Sequence, residues 1–206
     1  MATDPPGAGT ARLWREISVV PLGGLATPDL DLILAAVSSR VELPCRPLLH
    51  LPPIVLEPIP GRPQFDADRL LVRLEELADR VPLVGVTAHD LSLPIFTHVF
   101  GRARLGGKAA VVSLARLREP AAGQEDQAVL ARRATAEILH ELGHLAGLEH
   151  CGEPDCLMRF AATIEAVDLR GLAFCASCAA RLPPGLARRT PEHDDSWLGS
   201  GVSRDS

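Results

Sequence analysis

The 206-residue chain contains no tyrosine, and only one of its 21 basic residues is a lysine, Lys108. With its abundant Ala, Gly and Pro, this reads as coding bias in a GC-rich genome and carries little functional weight. No apolar run approaches the roughly 18 residues that read as a membrane-spanning helix, so none is expected. There is no block of like charge either. A net charge of -5 spread along the chain gives no reason to expect nucleic acid or a membrane surface as partner. Met1 to Arg15 lacks a basic start followed by an apolar run, so no signal peptide is expected. The chain is 47% hydrophobic and 23% charged, the profile of a soluble globular protein. Its length suits one domain or two closely packed subdomains. Cysteine is present in odd number, five. Four of the five crowd toward the C-terminal end at metal-like spacing, which favours zinc in a reducing, cytoplasmic compartment over disulfides.

Residues 1–14 and 183–206 read as disordered tails around a catalytic domain over 15–182. That domain divides into a subdomain at 15–147 and a smaller one at 148–182. Ile17 to Leu22, ended by Gly23-Gly24, predicts a buried strand. Thr27-Pro28-Asp29 predicts a helix start with Thr27 as cap. The seven prolines between Pro44 and Pro63 exclude a central strand through most of that stretch, though Ile54 to Glu57 can form a short one. A second helix starts at Asp66, with Phe65 and Leu70 placed for a hydrophobic staple. Val81 to Thr87 predicts another strand. The order β-α-β-α-β implies parallel strands with right-handed crossovers. Phe96 to Leu105 and Lys108 to Leu114 then read as a hairpin-like pair about Gly106-Gly107. The fold class expected is α+β: a mixed sheet with helices and a small C-terminal subdomain.

A helix introduced by Glu125 and Asp126 runs to about Leu145. Ala131, Thr135, Ile138, Leu142 and Leu145 form its core stripe. Val129, Arg133, Ala136, His140 and His144 lie toward a cleft. Its end carries the densest chemistry in the chain, His140-Glu141-Leu142-Gly143-His144. This H-E-x-x-H puts two histidines on one helix face with a glutamate beside them. Gly147 and His150 extend it to H-E-x-x-H-x-x-G-x-x-H, the metzincin signature. Gly147 can take the left-handed conformation that ends a helix, so His150 can return to the same metal. Gly143 costs helix stability, and having no side chain it lets another segment approach closely. His140, His144 and His150 are therefore candidate ligands of a catalytic zinc, and Glu141 is the candidate general base.

Cys151, Cys156, Cys175 and Cys178 have the spacing of a closed, structural zinc site. Cys151 follows His150 directly. In extended backbone the two side chains point to opposite sides, one toward each metal. Cys45 reads as a small buried hydrophobe.

H-E-L-G-H-L-A-G-L-E-H-C, Cys156, Met158 and Phe174-Cys175-Ala176-Ser177-Cys178 together resemble the archaemetzincins. Upstream, Val84 to Thr87, Asp90-Leu91, Val99-Phe100-Gly101 and Ala110 to Leu117 are similar to the same family. The resemblance implies a metzincin fold, two zinc ions per chain, and a peptide or protein as substrate. It places Met158 at a Met-turn beneath the metal. It also implies that substrate adds as a strand to a sheet edge, for which Ala109, Ala110, Val111, Val112, Ser113 and Leu114 are the candidates. With no tyrosine in the chain, the oxyanion-stabilising tyrosine of several metzincins has no counterpart. Arg159 reads as a solvated arginine, and His98 as a possible cleft residue. His50, His89 and His193 receive no metal role.

The function these residues point to is zinc-dependent peptide-bond hydrolysis. The alternatives are a non-catalytic, zinc-stabilised peptide-binding module and a thiol redox protein built on Cys175 and Cys178. The intact Glu141 favours the enzyme, since a pure binder has no need of it.

Overall fold

The computed structural model describes residues 14–187 apart from 53, 79–81, 95 and 120–125. Along the chain it forms β1 (Ile17–Leu22), α1 (Thr27–Ser38), β2 (Cys45–Pro47), β3 (Phe65–Asp66), α2 (Ala67–Leu77) and β4 (Leu83–Thr87). There follow β5 (Leu91–Ser92), β6 (Gly101–Ala103), β7 (Ala109–Ser113), α3 (Gln127–Leu145), α4 (Ile164–Leu169) and α5 (Ala176–Ala179). The main sheet has the order β2-β1-β4-β7-β6. Its first four strands are parallel, and β6 runs antiparallel on β7. A small parallel pair joins β3 to β5. This is the expected mixed sheet with helices.

β4 and β7 are buried at every residue, which their apolar runs LVGVT and AAVVS allow. The sheet separates two cores. On one face Val84, Val86, Ala110 and Val112 meet Ile33 and Val37 of α1 and Ile138 and Leu142 of α3. On the other, Leu83, Ala109 and Val111 meet Leu70, Leu71 and Leu74 of α2. Alternation along each strand thus sends odd and even residues to different helices. The segment after Gly147 has a small cluster of its own, Leu148, Cys156, Met158 and Cys178, while Leu157, Val167 and Leu186 join the first cluster.

Several expectations are corrected. The strand 109–114 is not an edge: the turn at Gly106-Gly107 folds β6 back onto its outer side, so β6 is the edge. Ile54 to Glu57 form no strand. The strand of that region is Cys45–Pro47, on the opposite edge, where a proline costs the ladder least. Thr27 is the first helical residue. The cap is Ala26, whose carbonyl accepts from the Asp29 and Leu30 amides. Asp66 caps α2 as predicted, accepting from the Asp68 and Arg69 amides.

α3 is buried on all sides from Arg133 to Gly143; Ile138, Leu142 and Leu145 do join the core and His140 and His144 do line the cavity, but Ala136 and Arg133 of the expected cleft face do not. Arg133 in particular turns from the cleft to Asp168 and to the carbonyls of Leu117 and Glu119. α4 was not expected; Thr163 caps it, accepting from the Ala166 amide. Of the tail regions, 1–13 and 188–206 lie outside the described residues, as do Val81 and Glu125. Trp14 and Leu186, placed in those tails by the sequence, are both buried. Both add apolar surface to the main core, and the Gly185 carbonyl accepts from the Glu42 and Leu43 amides. Trp14→Ala is expected to cost about 3–5 kcal/mol. Urea denaturation checks this, and a change under about 1 kcal/mol contradicts the packing of Trp14 described here.

Candidate active site

Asp126 caps α3 by accepting from the Ala128 amide, and the helix carries His140 and His144 on successive turns. Gly147, at φ 90°, ends it, and the Leu148 amide donates to the Gly143 carbonyl. The chain then returns His150 to the other two histidines. The three ring centroids stand 4.7, 5.3 and 4.9 Å apart, and one ligand atom of each lies within 4.8 Å of the others.

His140 Nε2 and His144 Nε2 are 3.1 Å apart. Nitrogens held tetrahedrally at zinc distances stand about 3.3 Å apart. The remaining nitrogens face backbone carbonyls: His140 Nδ1 lies 2.9 Å from the Leu157 oxygen and His144 Nδ1 2.7 Å from the Leu148 oxygen. With Nδ1–H donating to those carbonyls, both Nε2 lone pairs converge, which suits a cation between them. Burial disfavours the charged rings. It pushes His140 down to about 2, helped by the nearby Arg170 charge, and lowers His144 and His150 as well. Neutral imidazoles are the ligating form.

Glu141 is buried beside them, and its Oε2 has no hydrogen-bond partner. Burial, and then the charge of Glu137, raises its proton affinity well above that of an ordinary carboxylate. A Cβ on Gly101 would stand 2.4 Å from Glu141 Oε1, so the edge strand approaches this carboxylate only because residue 101 is glycine. A cavity of about 320 Å³ opens at this point. Phe96, His98 and Phe100 line it on the β6 side, and Phe160 and Ala161 line it near His150. His98 is thus a cleft residue, edge-on to Phe100.

Beneath the helix, Met158 fills the space that Gly143 leaves. A Cβ there would lie 2.3 Å from the Met158 sulfur. The close approach expected at Gly143 is therefore made by the methionine of the candidate Met-turn.

The four cysteines also come together, their sulfurs all within 4.8 Å and none in a disulfide. Cys151 Sγ and Cys175 Sγ are 3.9 Å apart, against about 3.8 Å for tetrahedral thiolates on zinc. Cys156 Sγ accepts from the Met158 and Cys175 amides, each at 3.4 Å. Burial, and then the neighbouring thiols, push Cys178 strongly up, whereas backbone hydrogen bonding at Cys178 lowers Cys175. Four sulfurs this close cannot all be anionic without a cation. The two clusters could hold two zinc ions, and adjacent residues His150 and Cys151 fall one in each.

Cys45 is half-buried against the main core. Arg159 is exposed, donating to the Pro154 carbonyl. His89 packs on Phe65, and His193 lies outside the described residues. Glu137 and Arg170 are among the cavity residues that escaped sequence reasoning. The i,i+4 spacing of Glu137 and Glu141 was a usable signal, but nothing in the sequence marks Arg170. Gly143→Ala should gain about 1 kcal/mol of helix propensity yet lose overall stability, because the added methyl displaces Met158. Gly152→Ala, with open space around it, is the control. A Gly143→Ala melting temperature at or above wild type contradicts the contact.

The profile of peptidase family M54 matches residues 54–183. The archaemetzincin of Haloarcula marismortui is 34% identical over 174 residues, covering 79% of this chain and 96% of its own. That of Pyrococcus horikoshii is 42% identical over 106 residues, 51% of this chain and 56% of its own. Among solved structures, the archaemetzincin of Archaeoglobus fulgidus, complexed with malonate, superposes with a TM-score of 0.67 at 26% identity, covering 81% of this chain and 99% of its own. That of Methanopyrus kandleri gives 0.65 at 30% identity, covering 81% and 92%.

Proposed function

This chain belongs to peptidase family M54, the archaemetzincins, and is a zinc metallopeptidase; on that premise we propose that it hydrolyses peptide bonds with Glu141 as general base. The observation that carries the role of Glu141 is its buried, unpartnered Oε2 next to three converging histidines. His140, His144 and His150 are the proposed ligands of the catalytic zinc. Cys151, Cys156, Cys175 and Cys178 are those of a structural one. A zinc ion at the histidines supplies an acidified water and polarises the scissile carbonyl.

Glu141 then receives the water's proton at Oε2 and passes it to the leaving amine nitrogen. The substrate peptide lies along β6, the free edge of the sheet, and pairs by backbone hydrogen bonds. Gly101 keeps that edge close to Glu141. The reaction runs in the cytoplasm, where reducing conditions keep the cysteine cluster free of disulfides. No helix among the described residues is long and apolar enough to cross a membrane.

Digestion of a diverse peptide library, with products read by mass spectrometry, tests this. Cleavage by the wild type should stop on treatment with a zinc chelator. Glu141→Ala should lower kcat by about 10²–10⁴-fold while keeping both zinc ions. Cleavage at the wild-type rate by Glu141→Ala would exclude the assigned role. Peptide binding without turnover in the wild type would make the protein a binding module.

A further inference from the structure

Arg170 and Glu137 line the same cavity as the histidines and have no part in the chemistry above. Arg170 is 1% exposed and Glu137 4%. A guanidinium cannot shed its proton, so burying one is costly unless it is paired. Arg170 Nη2 donates to Glu137 Oε2. Its Nη1 donates to the Arg159 carbonyl at 3.3 Å and lies 3.1 Å from His140 Nδ1. Its Nε has no partner among the described residues. A full positive charge thus abuts a ring whose other nitrogen faces the proposed zinc.

The guanidinium has little freedom to withdraw. Arg132 Nη2 donates to the Arg170 carbonyl at 2.9 Å. Arg133 grips Asp168 through two bonds of 2.7 and 2.6 Å. The end of α4 is therefore fastened to α3. Away from bulk water, a lone cation this near a ligand would oppose the binding of a divalent ion. Glu137, one turn before Glu141 on the same helix, supplies the opposite charge.

We propose that Glu137 is a positioning residue of the metal site: its carboxylate cancels the Arg170 charge, so that a guanidinium packed against the His140 ring does not weaken metal binding. This rests on His140, His144 and His150 being the metal ligands. An ordinary salt bridge that only ties α3 to α4 makes a different prediction: losing one partner of so buried a pair would disturb the fold, and the cysteine cluster with it, rather than lower histidine-site affinity alone.

The test is cadmium-113 NMR of the full chain loaded with cadmium and titrated with a competing chelator. Four-thiolate and histidine sites give well-separated resonances, so the cysteine cluster reports whether each variant is folded. Glu137→Gln should weaken cadmium binding at the histidine site by about ten- to a hundredfold, with the thiolate resonance unchanged. The double variant Glu137→Gln, Arg170→Met should bind within about threefold of wild type, since coupled residues are not additive. Wild-type affinity in Glu137→Gln overturns the proposal, and so does a double variant no better than the single one. If Glu137→Gln loses the thiolate resonance too, the pair acts through folding and the proposal is overturned. A wild type without a histidine-site resonance sinks the ligand reading itself, and this inference with it.

Discussion

The Cys151 amide donates to the Met158 carbonyl at 2.9 Å, and this bond closes the turn on which both clusters depend. On one side of it, His150 and Cys151 are adjacent in the chain but belong to different clusters. On the other side, the Leu157 carbonyl faces His140 Nδ1, and Met158 fills the gap at Gly143. The Met158 amide in turn donates to Cys156 Sγ. Leu157 and Met158 therefore reach upward to the helix, and Cys151 and the Met158 amide reach downward to the cysteines. Neither cluster can move far without moving the other.

From Arg133 to Gly143 helix α3 is buried around its whole circumference, which places charge inside the protein. Arg133 and Arg170 are each almost fully buried and find carboxylates at Asp168 and Glu137. Glu141 has no such partner for Oε2. Buried polar groups are ordinarily satisfied, and among the few such atoms without a partner in the described residues Glu141 Oε2 is the carboxylate oxygen, set beside the three histidines. Its location under a glycine of the edge strand joins the catalytic candidate to the strand where substrate is proposed to pair.

Much of this was legible in the sequence because the chemistry is local. The histidines lie within eleven residues of one another and the cysteines within 28, so spacing alone identified both clusters. The buried strands, read from their apolar runs, and the start of α2 at Asp66 were equally readable. What failed depended on contacts between distant segments. Ala109 to Leu114 looked like an edge because strand order is not written in any one strand, and β6 is too short to show a pattern. Trp14 and Leu186 looked like tail because their cores lie far along the chain. Arg170 looks like any surface arginine until α4 delivers it to Glu137 and His140.

The coupling of the two clusters is tested most directly by measuring histidine-site metal affinity in Cys175→Ala. Its side chain belongs to the cysteine cluster and not to the histidine one, so its loss opens the cysteine cluster alone. The expected result is a fall in histidine-site affinity of about tenfold or more, the scale of losing an outer-shell partner. A variant that loses metal from the cysteine cluster yet binds it at the histidines as tightly as wild type would contradict the coupling.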